Sequence, residues 1–175
     1  CSSLNCEFLE REKVKNLFVQ AARAIIKSVI IGGAILISSA HAQTNEDSQL
    51  IVKHFQGYYD AYSKDSKLAA TYYGEPVLLV SKTSVKVMAT RTEVEDYLSK
   101  GLAGLKPLGY AYSGLGEYHI KYLNDSTALF NVVAMRYKAD GTEQMRAGFT
   151  YLVRKEGAGW KIHANMATDE DKLIK

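Results

Sequence analysis

Apolar residues recur along the chain with two periods, and the change between them falls at Pro107. Upstream, Ile51, Phe55, Tyr58, Tyr59 and Tyr62 stand at i, i+4, i+7, i+8 and i+11, one face of an α-helix. His54 falls on the flank of that helix. Asp65 is placed to cap a short second helix carrying Leu68, Ala69, Tyr72 and Tyr73, which Gly74-Glu75-Pro76 should stop. Val77–Val80 and Val85–Met88 read as two short strands. Thr90-Arg91-Thr92-Glu93 is a capping box. It opens a third helix with Val94, Tyr97, Leu98, Leu102 and Leu105 on its apolar face. Gly101 and Gly104 weaken the end of that helix, and Pro107 forbids its continuation.

After Pro107 the period becomes two, and four strands are expected at about 110–123, 127–138, 143–155 and 159–167. Their short links imply an antiparallel meander. Asp140-Gly141 suits a two-residue type I′ turn that pairs Ala139 with Thr142. Val132 then faces Phe149, and Phe130 faces Tyr151. A turn at Gly157-Ala158 pairs Tyr151 with Ala164 and Phe149 with Met166. A three-residue Asn124-Asp125-Ser126 loop puts Tyr118, Ile120 and Tyr122 on the same apolar face, whereas a two-residue loop would bury Glu117, His119 and Lys121 there. Gly114-Leu115-Gly116 marks a bulge. The apolar face must be the one the helices cover. The other carries Asn131, Thr150 and Asn165 as a polar row, able to hydrogen-bond a ligand but better suited to water or a second subunit.

Three carriers, in order, resemble the nuclear-transport-factor-2-like superfamily, which includes SnoaL-like cyclases and ketosteroid isomerases. They are Phe55-x-x-Tyr58-Tyr59-x-Ala61-Tyr62, then Asp65-x-x-x-Leu68-Ala69-x-x-Tyr72-Tyr73 running into a strand, then Gly159-Trp160-Lys161-Ile162. The resemblance implies an α+β fold, three N-terminal helices packed on a strongly curved, mostly antiparallel sheet. This is a cone-shaped, cystatin-like roll. It also implies a conical cavity, used in that superfamily for isomerisation, cyclisation, dehydration or plain binding, and dimerisation through the outer sheet face. The base aspartate of isomerase members falls on Ser81, and their tyrosine acid on Gly57, one place from Tyr58. A serine does not abstract a proton unaided near neutral pH, so the isomerase mechanism does not transfer.

Eight side chains are candidate ligand contacts: Tyr58, Tyr62, Tyr73, Tyr118, Tyr122, Arg136, Phe149 and Met166. Phenol-bearing aromatic walls suit a flat or hydrophobic ligand. Arg136 lands on the apolar face beside Met145, where it either clamps a ligand carboxylate or pairs with Glu143 or another acid at the rim. Glu75 is either an acid at the pocket mouth or a turn residue. Glu117 with His119, and His163 with Asn165, lack a third ligand, so neither a metal nor any other cofactor is implied.

Composition adds a compartment. The chain has 175 residues, two prolines and a formal charge of +3, with no basic run. That fits one globular domain and gives no nucleic-acid footprint. The first methionine is Met88, so Val14 reads as a non-AUG start and residues 1–13 as upstream or added sequence. Lys15, Arg23 and Lys27, then an apolar stretch over 29–37, then Ala40-His41-Ala42 have the order of a secretory signal over 14–42. The apolar run is too short for a membrane anchor. Residues 43–175 would be the mature domain, without cysteine, periplasmic or secreted and off the membrane once cleaved. Three functions remain open. The first is a small-molecule-binding protein whose ligand is hydrophobic or aromatic with an anionic group, working as a homodimer. The second is an isomerase, cyclase or dehydratase with Tyr58 or Glu75 as acid or base. The third is a dimeric interaction protein with a filled cavity.

Overall fold

Helix α1 buries the face that its periodicity marks. In the computed structural model, which describes residues 45–157 and 159–174, α1 spans 45–64. The expected signal at 14–42 and the segment before it lie outside the described residues. Residues Asp47–Lys175 cluster as one compact unit, and the architecture below is that of this unit. Ile51, Phe55, Tyr58, Tyr59 and Tyr62 are all buried. Phe55 stacks on Phe130 of the sheet, with ring centroids 4.1 Å apart and planes 18° apart. On the helix flank, His54 Nε2 lies 3.1 Å from the Tyr72 carbonyl. Burial, followed by the charge of Lys161, lowers its pKa to about 4, so the ring is neutral at pH 7.

Helix α2, Ser66–Ala70, starts where expected, with the Asp65 carboxylate accepting from the Lys67 N–H. It ends earlier than expected. Tyr73 opens strand β1, Tyr73–Val80, which runs through Gly74-Glu75-Pro76 instead of starting after it. Strand β2, Val85–Met88, pairs back on β1. Helix α3, Arg91–Leu105, has the complete capping box, Thr90 with Glu93. It buries Val94, Leu98, Leu102 and Leu105 and runs into a 3-10 turn, Lys106–Leu108. Strands β3 (Tyr112–Asn124), β4 (Thr127–Tyr137), β5 (Glu143–Glu156) and β6 (Gly159–Thr168) follow. The six-stranded sheet has the order β2-β1-β6-β5-β4-β3. The four C-terminal strands form the expected meander, but β1 joins β6 in parallel, so the sheet is mixed.

Phe130 faces Tyr151 and Val132 faces Phe149 as the sequence implies, although neither flanking turn of β4 is the expected one. Among the described residues none other than glycine has a positive φ, which rules out a type I′ turn at Asp140. Gly141 N–H donates to the Lys138 carbonyl and Lys138 N–H to the Thr142 carbonyl. Gly141 at φ +83° thus closes a three-residue loop, and an irregularity beyond Tyr137 restores the register. At the other end Asn124 itself pairs with Thr127, after a shift beyond Tyr122. Tyr118, Ile120 and Tyr122 still face Val132, Phe130 and Ala128. The glycine bulge lies between Leu115 and Tyr118. A Cβ on Gly116 would stand 2.9 Å from the Val133 carbonyl oxygen, so only glycine fits this approach.

The largest departure is in β6. Val153 pairs with Ile162, but Leu152 pairs with Ala164, leaving His163 as an extra residue. Tyr151 therefore pairs with Asn165 and Phe149 with Ala167, not with Ala164 and Met166. One extra residue exchanges the two sides of everything beyond it. Asn165 turns to the helix-covered face, and Met166 turns away, beside Thr150. The polar row shrinks to Thr150 and Asn131, whose side chains bond at 2.8 Å.

The two anchors of the helical layer should differ in weight. Phe55→Ala should cost about 3–5 kcal/mol, the range for emptying a buried aromatic site, and Thr90→Ala about 1 kcal/mol, the cost of a lost N-cap. Urea unfolding midpoints would check both. Similar losses for the two would show that α1 does not carry the core.

Candidate functional site

Between the helices and the concave side of the sheet lies a cavity of about 360 Å³. Helix α1 contributes Tyr58, Tyr59 and Tyr62, three positions of its buried stripe. Helix α3 contributes Tyr97, Leu98, Lys100, Gly101 and Leu105, with Gly104 beside them. The sheet contributes Ser113, Ala134, Arg136, Phe149, Tyr151 and Asn165. Gly101 has a steric role, since a Cβ there would sit 2.8 Å from the Tyr62 hydroxyl. The glycine that weakens the helix is what lets the phenol lie against it.

Four of the eight candidate contacts line this cavity, namely Tyr58, Tyr62, Arg136 and Phe149. The other four stand elsewhere. Tyr73 is fully buried behind the wall and donates its hydroxyl proton to the Tyr58 oxygen at 3.0 Å. Tyr118 belongs to the edge strand β3 and is 42% exposed, its ring lying over Phe130. Tyr122 reaches Ser48 at 3.0 Å and neighbours Trp160. Met166 is turned to the convex side by the β6 bulge. Tyr59, Tyr97, Tyr151 and Lys100 line the cavity without having been singled out. Three had a readable signal: Tyr59 lies in the α1 stripe, Tyr97 in the α3 stripe, and Tyr151 two places beyond Phe149 on one strand face. Asn165 lines it too, on the opposite side of the sheet from the polar row in which the sequence puts it, because its side depends on the bulge.

The electrostatics are those of neutral donors beside a cation. Burial, above all, raises the phenols of Tyr58, Tyr59, Tyr73 and Tyr151 well above the ordinary tyrosine range. Burial pushes Tyr62 up to about 12, the nearby Arg136 charge working against the rise. Arg136 also opposes the burial-driven rise at Tyr97 and Tyr110, so its charge reaches the α3 end of the cavity. Its guanidinium does not pair with Glu143, which is held by Arg146 at 2.7 Å. It donates instead to the Met145 sulfur at 3.1 Å, and among the described residues it makes no ion pair. Two lining atoms are buried without a hydrogen bond, the Tyr59 hydroxyl and Asn165 Oδ1. The lining has no aspartate, glutamate or histidine. Glu75 lies outside it, paired with Arg91 at 3.2 Å, and Ser81 is tied to Ser84 in the β1–β2 turn. Among the described residues no group of three His, Cys, Asp or Glu is placed to hold a metal. Such a site can seat an aromatic body, donate hydrogen bonds from un-ionised phenols and balance an anion.

Residues 45–170 match the family model of the NTF2-like protein family DUF6841. The chain belongs to that family. Solved structures agree at the level of fold. An NTF2-like protein with a cystatin-like fold from Novosphingobium aromaticivorans is 16% identical, with TM-score 0.59, over 76% of this chain and 88% of that one. An NTF-2 like protein of unknown function from Shewanella oneidensis is 20% identical, with TM-score 0.56, over 70% and 98%. A cystatin-like-fold domain of unknown function from Nostoc punctiforme is 19% identical, with TM-score 0.55, over 70% and 76%. No curated protein sequence matches the chain significantly. In this NTF2-like chain the fold fixes where a cavity lies, and the lining alone carries the chemistry.

The burial of the phenols has a direct readout. At pH 11 a free tyrosine is about nine-tenths phenolate. Tyr58, Tyr59, Tyr73 and Tyr151 should stay protonated there while the protein is folded. Absorbance at 295 nm should therefore rise in two stages, the second coinciding with loss of circular dichroism. A single stage completed before unfolding would contradict the buried cluster.

Proposed function

We propose that this NTF2-like protein is a small-molecule-binding protein that holds, without transforming it, a largely apolar or aromatic ligand bearing an anionic group. The observation that carries this reading is Arg136, a guanidinium facing a phenol-walled cavity that contains no acid. A cationic group so placed favours a carboxylate or similar anion, and exposed Lys100 adds a second positive charge at the lining. The same lining argues against acid–base catalysis. Buried phenols with raised pKa values are poor bases, and no carboxylate or imidazole stands beside them. The cavity volume falls within the usual range for small-ligand sites. The order of basic, apolar and small residues over 14–42 supports a periplasmic or secreted location.

The working unit is proposed to be a homodimer. Val87, Leu78, Ala164, Leu152 and Leu129 are successive cross-strand neighbours on the convex side, an apolar row that crosses five strands. Val87 is 60% exposed and Leu78 38%. A self-complementary apolar face of this kind suits two-fold pairing. Sedimentation velocity should show a dimer, and Leu152→Glu should convert it to a folded monomer. A monomeric parent protein would overturn this part.

The ligand reading is tested by calorimetry with biphenyl-4-carboxylate and its neutral carboxamide. Arg136→Gln should weaken the carboxylate about 10–100-fold, the loss expected for one charge-assisted contact, and leave the carboxamide unchanged. Equal effects on both probes would remove Arg136 from anion binding.

A further inference from the structure

The cation at the cavity rests on an oxidisable partner. Among the described residues the Arg136 guanidinium gives its hydrogen bond to a thioether, from Nη1 to the Met145 sulfur at 3.1 Å. The two residues are direct cross-strand partners on β4 and β5, so their side chains rise from the same face of the sheet. A thioether sulfur is a weak acceptor. An incoming carboxylate displaces it at little cost, and the arginine stays available.

Met145 is also the methionine that solvent reaches best. The chain has four. Met88 is fully buried, and Met135 and Met166 are half-buried. Met135 packs over Gly116 of the neighbouring strand, and a Cβ there would stand 3.2 Å from its sulfur. Met145 is 39% exposed, two residues from the start of β5. An oxygen donor in solution therefore meets the Met145 sulfur first.

We propose that Met145 is an oxidation site that sets the anion affinity of the cavity. The oxidant is hydrogen peroxide. A sulfur lone pair forms the S–O bond, the O–O bond breaks, and the second oxygen leaves as water. The sulfur loses two electrons and the peroxide gains them. The product is methionine sulfoxide, polar where the thioether was apolar, and reducible back to methionine. Its oxygen is a strong acceptor on the atom to which the Arg136 N–H already points, and a charge-assisted N–H···O bond is short and strong. That bond occupies part of the guanidinium. The sulfoxide oxygen also meets a ligand carboxylate as one acceptor meets another. Both effects oppose an anion, and an uncharged ligand feels neither directly. The proposal rests on the binding reading above and adds to it a reversible control of the same arginine.

The test compares the purified protein before and after dilute peroxide, with folding checked by circular dichroism. Peptide mass spectrometry should find the first added oxygen on Met145. Calorimetry should then show biphenyl-4-carboxylate weakened about 10-fold, the scale of one charge-assisted contact, and the neutral carboxamide unchanged. The two methionine sulfoxide reductases, one for each epimer, should restore the lost affinity. In Met145→Leu, peroxide should leave carboxylate binding as it was in that variant. If the variant does not fold, the oxidised and re-reduced parent protein decides alone. Oxidation of another methionine ahead of Met145 would overturn the site. Oxidised Met145 with carboxylate affinity unchanged, or with both probes weakened alike, would overturn the control and leave the anion-binding cavity standing. Failure of the untreated protein to bind the carboxylate would overturn the binding reading, and this proposal with it.

Discussion

The contact between Phe55 and Phe130 is the constraint from which the rest of the domain follows. A curved sheet has a concave side that water must leave, and α1 fills it with rings because small side chains would not reach the floor. Once Phe55 is seated, the helical repeat carries Tyr58, Tyr59 and Tyr62 inward as well. Their hydroxyls then lie where water cannot serve them all. One is answered by Tyr73, one rests in the notch left by Gly101, and one has no aligned partner. The raised phenol pKa values come from the same burial. They are why the cavity offers neutral donors instead of bases.

Much of this was legible in the sequence where a local rule had one outcome. The α1 stripe, the Thr90–Glu93 box and the Asp65 cap each satisfy a nearby backbone or a single buried face. The pairing of Phe130 with Tyr151 was also legible, although the turn that sets it was not. A three-residue loop and a compensating irregularity beyond Tyr137 give the same register as a tight I′ turn would. Two different local structures converge because one partner must lie opposite for the apolar face to stay whole.

What was hidden is the bulge at His163. Trp160, Ile162, Ala164 and Met166 read as unbroken alternation, and apolar residues on either side of the bulge conceal the slip. The reason for the extra residue lies in another strand. The His163 imidazole sits against Gly74 of β1, where any Cβ would collide with it, and it bonds Glu156 at 2.7 Å. Gly74 reads from the sequence as a helix stop. Its role is to seat a side chain from the far end of the chain, which no local window contains. Arg136's freedom was hidden for a local reason: Glu143 was within reach on paper but is taken by Arg146, three residues further on.

Strand parity gives that bulge a further meaning. Closing it with no residue lost, so that His163 pairs with Leu152, would carry the thioether of Met166 into the cone and send the carboxamide to the convex side. The contacts that keep His163 out of the ladder, its seat against Gly74 and its bond to Glu156, therefore set which polar groups the cone presents, with no lining side chain replaced.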